Sequence, residues 1–115
     1  MNIQISADSI SSMDQSAANA ARFLKSFAHE GRLRILCHLA TGEKSVSELE
    51  TLLDARQAAV SQMLARLRED QMVETRRSGK TVYYSVSDKT VAQIIGVLYD
   101  RFCATEADGD VAIEE

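Results

Sequence analysis

The sequence predicts a mainly α-helical fold interrupted by a single β-hairpin. Apolar residues recur every three to four positions from about residue 15 to residue 67, and the period falls to two between Met72 and Ser87 before helical spacing returns after Asp88. A chain of 115 residues, 45% hydrophobic and 26% charged, with no proline, suits one compact domain with a modest core.

The elements follow in order. "SAANAARFLKSFAH" sets Ala17, Ala20, Ala21, Leu24, Phe27 and Ala28 at helical spacing, a first helix from about residue 15 to 28. "EGRLRILCHLAT" repeats the pattern with Leu33, Leu36, Cys37 and Ala40, and Gly42 ends this second helix. Ser45 and Glu48 form an S-x-x-E capping box that opens a short third helix, with Val46, Leu49, Leu52 and Leu53 inward. After "DAR" a fourth helix, "QAAVSQMLARLRED", presents Val60, Met63, Leu64 and Leu67 on one face. In "MVETRRSGKTVYYSVS", Val73, Thr75 and Arg77 alternate on one arm and Val82, Tyr84 and Val86 on the other, around a turn at Ser78 and Gly79. Asp88 caps a last helix, "KTVAQIIGVLYDRFC", whose Val91, Ile94, Ile95, Leu98 and Phe102 exceed what one side of a small domain needs. A partner chain is therefore expected to cover the excess.

Helix, helix, helix, turn, helix, hairpin, helix is the order of a winged helix-turn-helix. In that architecture the second member of a close helix pair enters the major groove of DNA, and the hairpin reaches the neighbouring backbone or minor groove. Arg56, Gln57, Ser61 and Gln62 lie off the apolar face at the start of the fourth helix. Gln57 and Gln62 are the candidates for base reading, Ser61 for base or phosphate, and Arg56 for phosphate. Arg76, Arg77 and Lys80 surround the hairpin turn and suit phosphate without reading sequence. A polar helix face taken alone is most often merely solvated, but the preceding helix and the basic hairpin reverse that reading. Tyr83 and Tyr84 point to opposite faces of their strand and are read as structural.

The formal net charge of −4 argues against nucleic acid only until its distribution is considered. Residues 104–115 hold five acids and no base, whereas residues 56–80 hold six bases against three acids. Residues 1–14 and the acidic tail 104–115 are expected to be flexible, leaving 15–103 as the DNA-binding and dimerising domain. No apolar run approaches the ~20 residues of a membrane span, and "MNIQISADSISSMDQS" lacks a signal-peptide profile. The expected location is cytoplasmic, where two cysteines without CxxC spacing are free or reactive thiols. No group of residues looks catalytic, and the chain is read as a non-enzyme without a cofactor.

"FLKSFAHEGRLRILCHLATGEKSVSELETLL" and "RQAAVSQMLARLREDQMVETRRSGKTVYYSVSD", with the closing helix, resemble the ArsR/SmtB type of dimeric winged-helix repressors over about residues 17–103. The resemblance implies a homodimer joined through its first and last helices, bound to an inverted-repeat operator near its own promoter or that of neighbouring genes. Asp54 and Arg56 depart from the Gly and Ser common in the turn of many relatives. Asp tolerates the left-handed conformation, but Arg56 has no oxygen to cap the helix. Metal-sensing relatives place cysteines where this chain has Ser45 and Ser47, or Asp and His early in the last helix and His and Glu later in it. Here that helix opens with Lys89 and Thr90 after Asp88 and has no histidine. The only histidines, His29 and His38, read as structural, and no metal site is expected.

"RQAAVSQ" beside "ILCHL" and "YDRFC" resembles a narrower branch, the sulfide-responsive repressors that sense persulfides and polysulfides. That resemblance implies a reduced form that binds DNA and represses genes of sulfide oxidation. Reactive sulfur species, the implied effector, would then link Cys37 to Cys103 within one protomer and release the DNA. A plain disulfide needs Cα atoms within roughly 4.4–6.8 Å, so helices held slightly farther apart would favour a bridge with added sulfur. Arg34 or Arg101 is expected to favour the thiolate. Alternatives stay open. The same cysteines suit a soft metal, metalloid or general oxidant, and Cys37 on a core stripe suits simple space-filling in a constitutive DNA-binding protein.

Overall fold

The computed structural model describes residues 5 to 104. Helix α1 spans Ala7–Phe27, α2 Glu30–Leu39, β1 Lys44–Ser45, α3 Val46–Leu53, α4 Gln57–Glu69, β2 Val73–Ser78, β3 Thr81–Val86 and α5 Lys89–Tyr99. A single π-helical turn, Asp100–Ala104, follows α5. The winged helix-turn-helix order is the one expected, with β1 added at the sheet edge. Among the described residues no helix is long and apolar enough to cross a membrane.

The core lies beneath α2, α3 and α4. Ile35, Leu36, Leu49, Val60, Leu64 and Leu67 are fully buried, joined by Met72 from the loop after α4 and Val91 from α5. Burying one such side chain contributes roughly 1.5–3 kcal/mol. Cys37 and Ala40, expected on the α2 core stripe, are exposed instead. The buried face of α2 is Ile35, Leu36 and Leu39, with Leu33 half-buried, because α2 turns its 35–39 edge to α3 and α4. Leu52 is likewise exposed on α3.

Capping sets the boundaries. Ser45 Oγ accepts from Glu48 N while Glu48 Oε1 accepts from Ser45 N, which completes the expected capping box. Asp54 ends α3 with φ 52° and ψ 53°, the left-handed conformation its short side chain tolerates. Arg56 precedes α4 without a side-chain cap, and Asp88 Oδ1 accepts from Val91 N to open α5. Helix α1 starts eight residues earlier than its apolar spacing suggested, at Ala7 against residue 15, where the side chain of Ser6 accepts from Ser9 N. That half was missed because Ile10 and Met13 face no core in the protomer. The acidic stretch 105–115 lies outside the described residues.

The sheet is antiparallel in the order β1-β3-β2. Val73 pairs with Val86, Thr75 with Tyr84 and Arg77 with Val82, the alternation read from the sequence. The turn, however, is Gly79 and Lys80, since Ser78 pairs with Thr81. Gly79 has φ +62°, and a glycine at the first central position is the mark of a type II′ hairpin. Tyr84 packs on the core while Tyr83 faces the other way.

A polar latch ties the end of α1 to the end of α4. Buried Ser26 Oγ donates to Asp70 Oδ2 at 2.5 Å, and Arg66 Nε donates to the same oxygen at 3.0 Å. Burial pushes the Asp70 carboxyl up, but the Ser26 and Arg66 bonds and nearby Arg32 outweigh it and hold it below the ordinary 3.8. A carboxyl depressed in the folded state contributes fully above its ordinary value and stops contributing as pH falls through the lower, folded value. Asp70→Asn should therefore cost roughly 1–2 kcal/mol in urea unfolding at neutral pH, with the gap to the native chain closing under acid conditions below 3.8. A gap that stays constant with pH would assign the cost to something other than the carboxylate.

Candidate nucleic-acid interface and thiol pair

Helix α4 is the second member of the close pair α3-α4, joined by the left-handed turn at Asp54. Its buried edge is Val60, Leu64 and Leu67. Arg56, Gln57, Ser61 and Gln62 are all exposed on the other side of its first two turns, as are Ala58 and Ala59. Glutamine can bond an adenine edge in two places, a serine hydroxyl suits base or phosphate, and exposed alanines let the backbone approach the groove. No acid occupies the first turn of α4, so the partial positive charge of the helix start is unopposed there.

The hairpin carries the other cations. Arg77 and Lys80 are exposed and make no ion pair among the described residues. Arg76 is engaged differently. Its guanidinium donates from Nε to Glu43 Oε1 at 3.0 Å and from Nη2 to Glu43 Oε2 at 2.6 Å, and it lies 5.0 Å over the Tyr83 ring. The phosphate role expected of Arg76 thus meets a carboxylate already in place. Sequence reasoning passed over Glu43 because its partner lies 33 residues away and no local motif joins them.

The two thiols are distant in sequence, one on α2 and one beyond α5. Cys37 sits on the open side of α2 and Cys103 in the π turn beyond α5, and both are free and exposed. Partial burial of the sulfur raises the pKa of Cys37, and charge on Cys103 raises it further. Arg34 was expected to favour the Cys37 thiolate, but the thiol is shifted the other way. Arg101 stacks at 4.9 Å on the Phe102 ring. His29 accepts from Arg32 N as the cap of α2, the structural role expected of it. Among the described residues no three His, Cys, Asp or Glu side chains cluster as metal ligands.

Residues 29–75 match the family described as bacterial regulatory protein, arsR family. The biofilm growth-associated repressor of Agrobacterium fabrum is 46% identical over 94 residues, covering 82% of this chain and 80% of that protein. The transcriptional activator HlyU of Vibrio cholerae is 43% identical over 91 residues, 79% of this chain and 84% of that protein. Reduced HlyU from that organism superposes with a TM-score of 0.76 at 42% identity, covering 80% of this chain and 97% of that structure. The transcriptional repressor BigR from Xylella fastidiosa gives a TM-score of 0.76 at 40% identity, covering 82% and 96%.

Two outcomes check the geometry. Cys103→Ser removes one cause of the raised Cys37 pKa, so iodoacetamide should alkylate Cys37 faster at about pH 8 than in the native chain; an equal rate would separate the thiols. Arg56→Ser supplies the missing cap oxygen and should raise stability by about 0.5–1 kcal/mol. The same variant should weaken DNA binding, and one that gains stability at undiminished affinity would remove Arg56 from the interface.

Proposed function

Because the chain belongs to the arsR family of bacterial regulatory proteins, we propose that this transcriptional regulator, not an enzyme, is a dithiol repressor released from DNA by reactive sulfur. The single observation that carries the reading is the presence of two free, exposed cysteines, distant in sequence, one on α2 and one in the turn that continues α5, a helix packed against α2. The relatives named repressors support the direction of control, and the reduced form recorded for HlyU supports a redox signal.

In the reduced state, Gln57, Ser61 and Gln62 read the major groove of an inverted repeat while Arg56, Arg77 and Lys80 hold phosphates. Two protomers join through uncovered apolar side chains: Ile10, Met13 and Leu24 on α1, Val97 and Tyr99 on α5, and Phe102 beyond it. Polysulfide then meets the thiols. One cysteine thiolate attacks an internal sulfur, breaking a sulfur–sulfur bond and expelling a shorter polysulfide. The second attacks the sulfur chain now carried on the first and expels hydrosulfide. Both thiols lose a proton, and the two electrons given up leave with the broken sulfur–sulfur bonds.

The bridge ties α5 to α2, on which α3 and α4 rest. Half-sites of a two-fold operator lie about one helical turn, roughly 34 Å, apart, so a small change in the spacing of the α4 helices opposes both contacts together. A coupling of about 1–3 kcal/mol corresponds to roughly 5–150-fold in affinity.

Intact mass after inorganic polysulfide, with peroxide in parallel, tests the chemistry, and operator retention tests its consequence. The native chain should gain a Cys37–Cys103 link carrying added sulfur and lose DNA, whereas Cys37→Ser and Cys103→Ser should keep DNA. The reading fails if the doubly substituted chain releases DNA on polysulfide as the native chain does.

A further inference from the structure

The Glu43–Arg76 pair is built more firmly than most surface ion pairs. Glu43 immediately precedes β1, whose Lys44 and Ser45 pair with Tyr84 and Tyr83 of the central strand, so its backbone is fixed by the sheet. Arg76 pairs with Tyr83 across the hairpin and lies on that ring, so its stem is fixed as well. One transverse row, Ser45, Tyr83 and Arg76, thus sits under the bond between them. Lys44 does not compete for the carboxylate, because its ammonium donates to Thr41 Oγ1 and to the Gly42 carbonyl, each at 3.1 Å. The two parallel bonds to Arg76 use the fork geometry that a phosphate would use.

We propose that Glu43 is an internal stand-in for a DNA phosphate: it occupies the Arg76 fork in the free protein and is displaced only by a duplex that seats the whole wing. The inference rests on the DNA-binding reading above and adds to it a residue that sets affinity and specificity. Arg77 and Lys80 meet any passing polyanion, whereas Arg76 is given up only when a phosphate is delivered at the same place and in the same orientation. The clamp therefore weakens loose, sequence-independent binding more than it weakens binding to a fully docked site. Both groups remain partly open to solvent, at 57% and 40% of side-chain exposure, so exchange needs only side-chain rotation.

The test uses the full chain and a random-sequence duplex of about 30 base pairs, titrated over a range of salt. Glu43→Gln keeps the side chain's size and removes its charge. It should bind this duplex several-fold more tightly, and the plot of log affinity against log salt should steepen by about 0.9 for each Arg76 freed to meet a phosphate. Adding Arg76→Gln to Glu43→Gln should undo the gain and return the slope to the native value, because no guanidinium is then left to meet the phosphate. Thermal unfolding of each variant confirms that the fold is kept. An unchanged slope in Glu43→Gln, with native binding still salt-dependent and still reduced by Arg77→Gln and Lys80→Gln, overturns the clamp and leaves the DNA reading standing. Native binding that ignores salt, Arg77→Gln and Lys80→Gln overturns both.

Discussion

Helix α2 is ten residues long, yet α1, α3, α4, β3 and α5 all pack against it. Ile35, Leu36 and Leu39 form its buried edge, the first two without any exposure. Each neighbouring element is amphipathic and needs an apolar surface to rest on, and α2 is the one surface they share. The position of α4, and with it the orientation of Gln57, Ser61 and Gln62, is inherited from that contact. Because the opposite edge of α2 carries Cys37, the hub of the core and the candidate sensor are two sides of one short rod.

Local chemistry made much of this readable in advance. The Ser45–Glu48 box, the tolerance of Asp54 for a left-handed turn and the Asp88 cap each act within three or four residues, and each is realised. Alternation also placed Tyr84 and Val86 on the core face, since a one-residue slip would turn them out. It leaves a two-residue slip open, and the turn falls at Gly79 and Lys80 rather than at Ser78 and Gly79. What escaped depended on partners remote in the chain. Two-residue β1 has no period to detect, and its existence depends on the edge of β3. The open side of α2 could not be told from the buried one because Leu33, Leu36, Cys37 and Ala40 fit helical spacing as well as Ile35, Leu36 and Leu39 do. The candidate site was legible at the start of α4, where polar side chains leave the apolar face, and less so at the wing, where Arg76 already has an acid facing it.

Charge shows the same tension between composition and placement. An acidic chain keeps a basic working surface because its acids are elsewhere or are paired, Asp70 with Arg66 one helical turn away and Glu43 with Arg76 across the sheet. Surface pairs of this sort add little to stability. Their effect is on which cations are left to meet a polyanion, and here those are Arg77, Lys80 and Arg56 before Arg76.

The first turns of α1 have a consequence for the lifetime of the protein in a cell. From Ala7 to Asn19 no residue is buried against the rest of the protomer, and an isolated helix of that length is marginal in water. A partner that covered Ile10 and Met13 would also keep that segment wound. A copy that finds no partner presents a fraying apolar end, the kind of segment that proteases open first. In the dimer proposed above, surplus protomers would be cleared faster than assembled ones, and the pool of unassembled regulator would be held low.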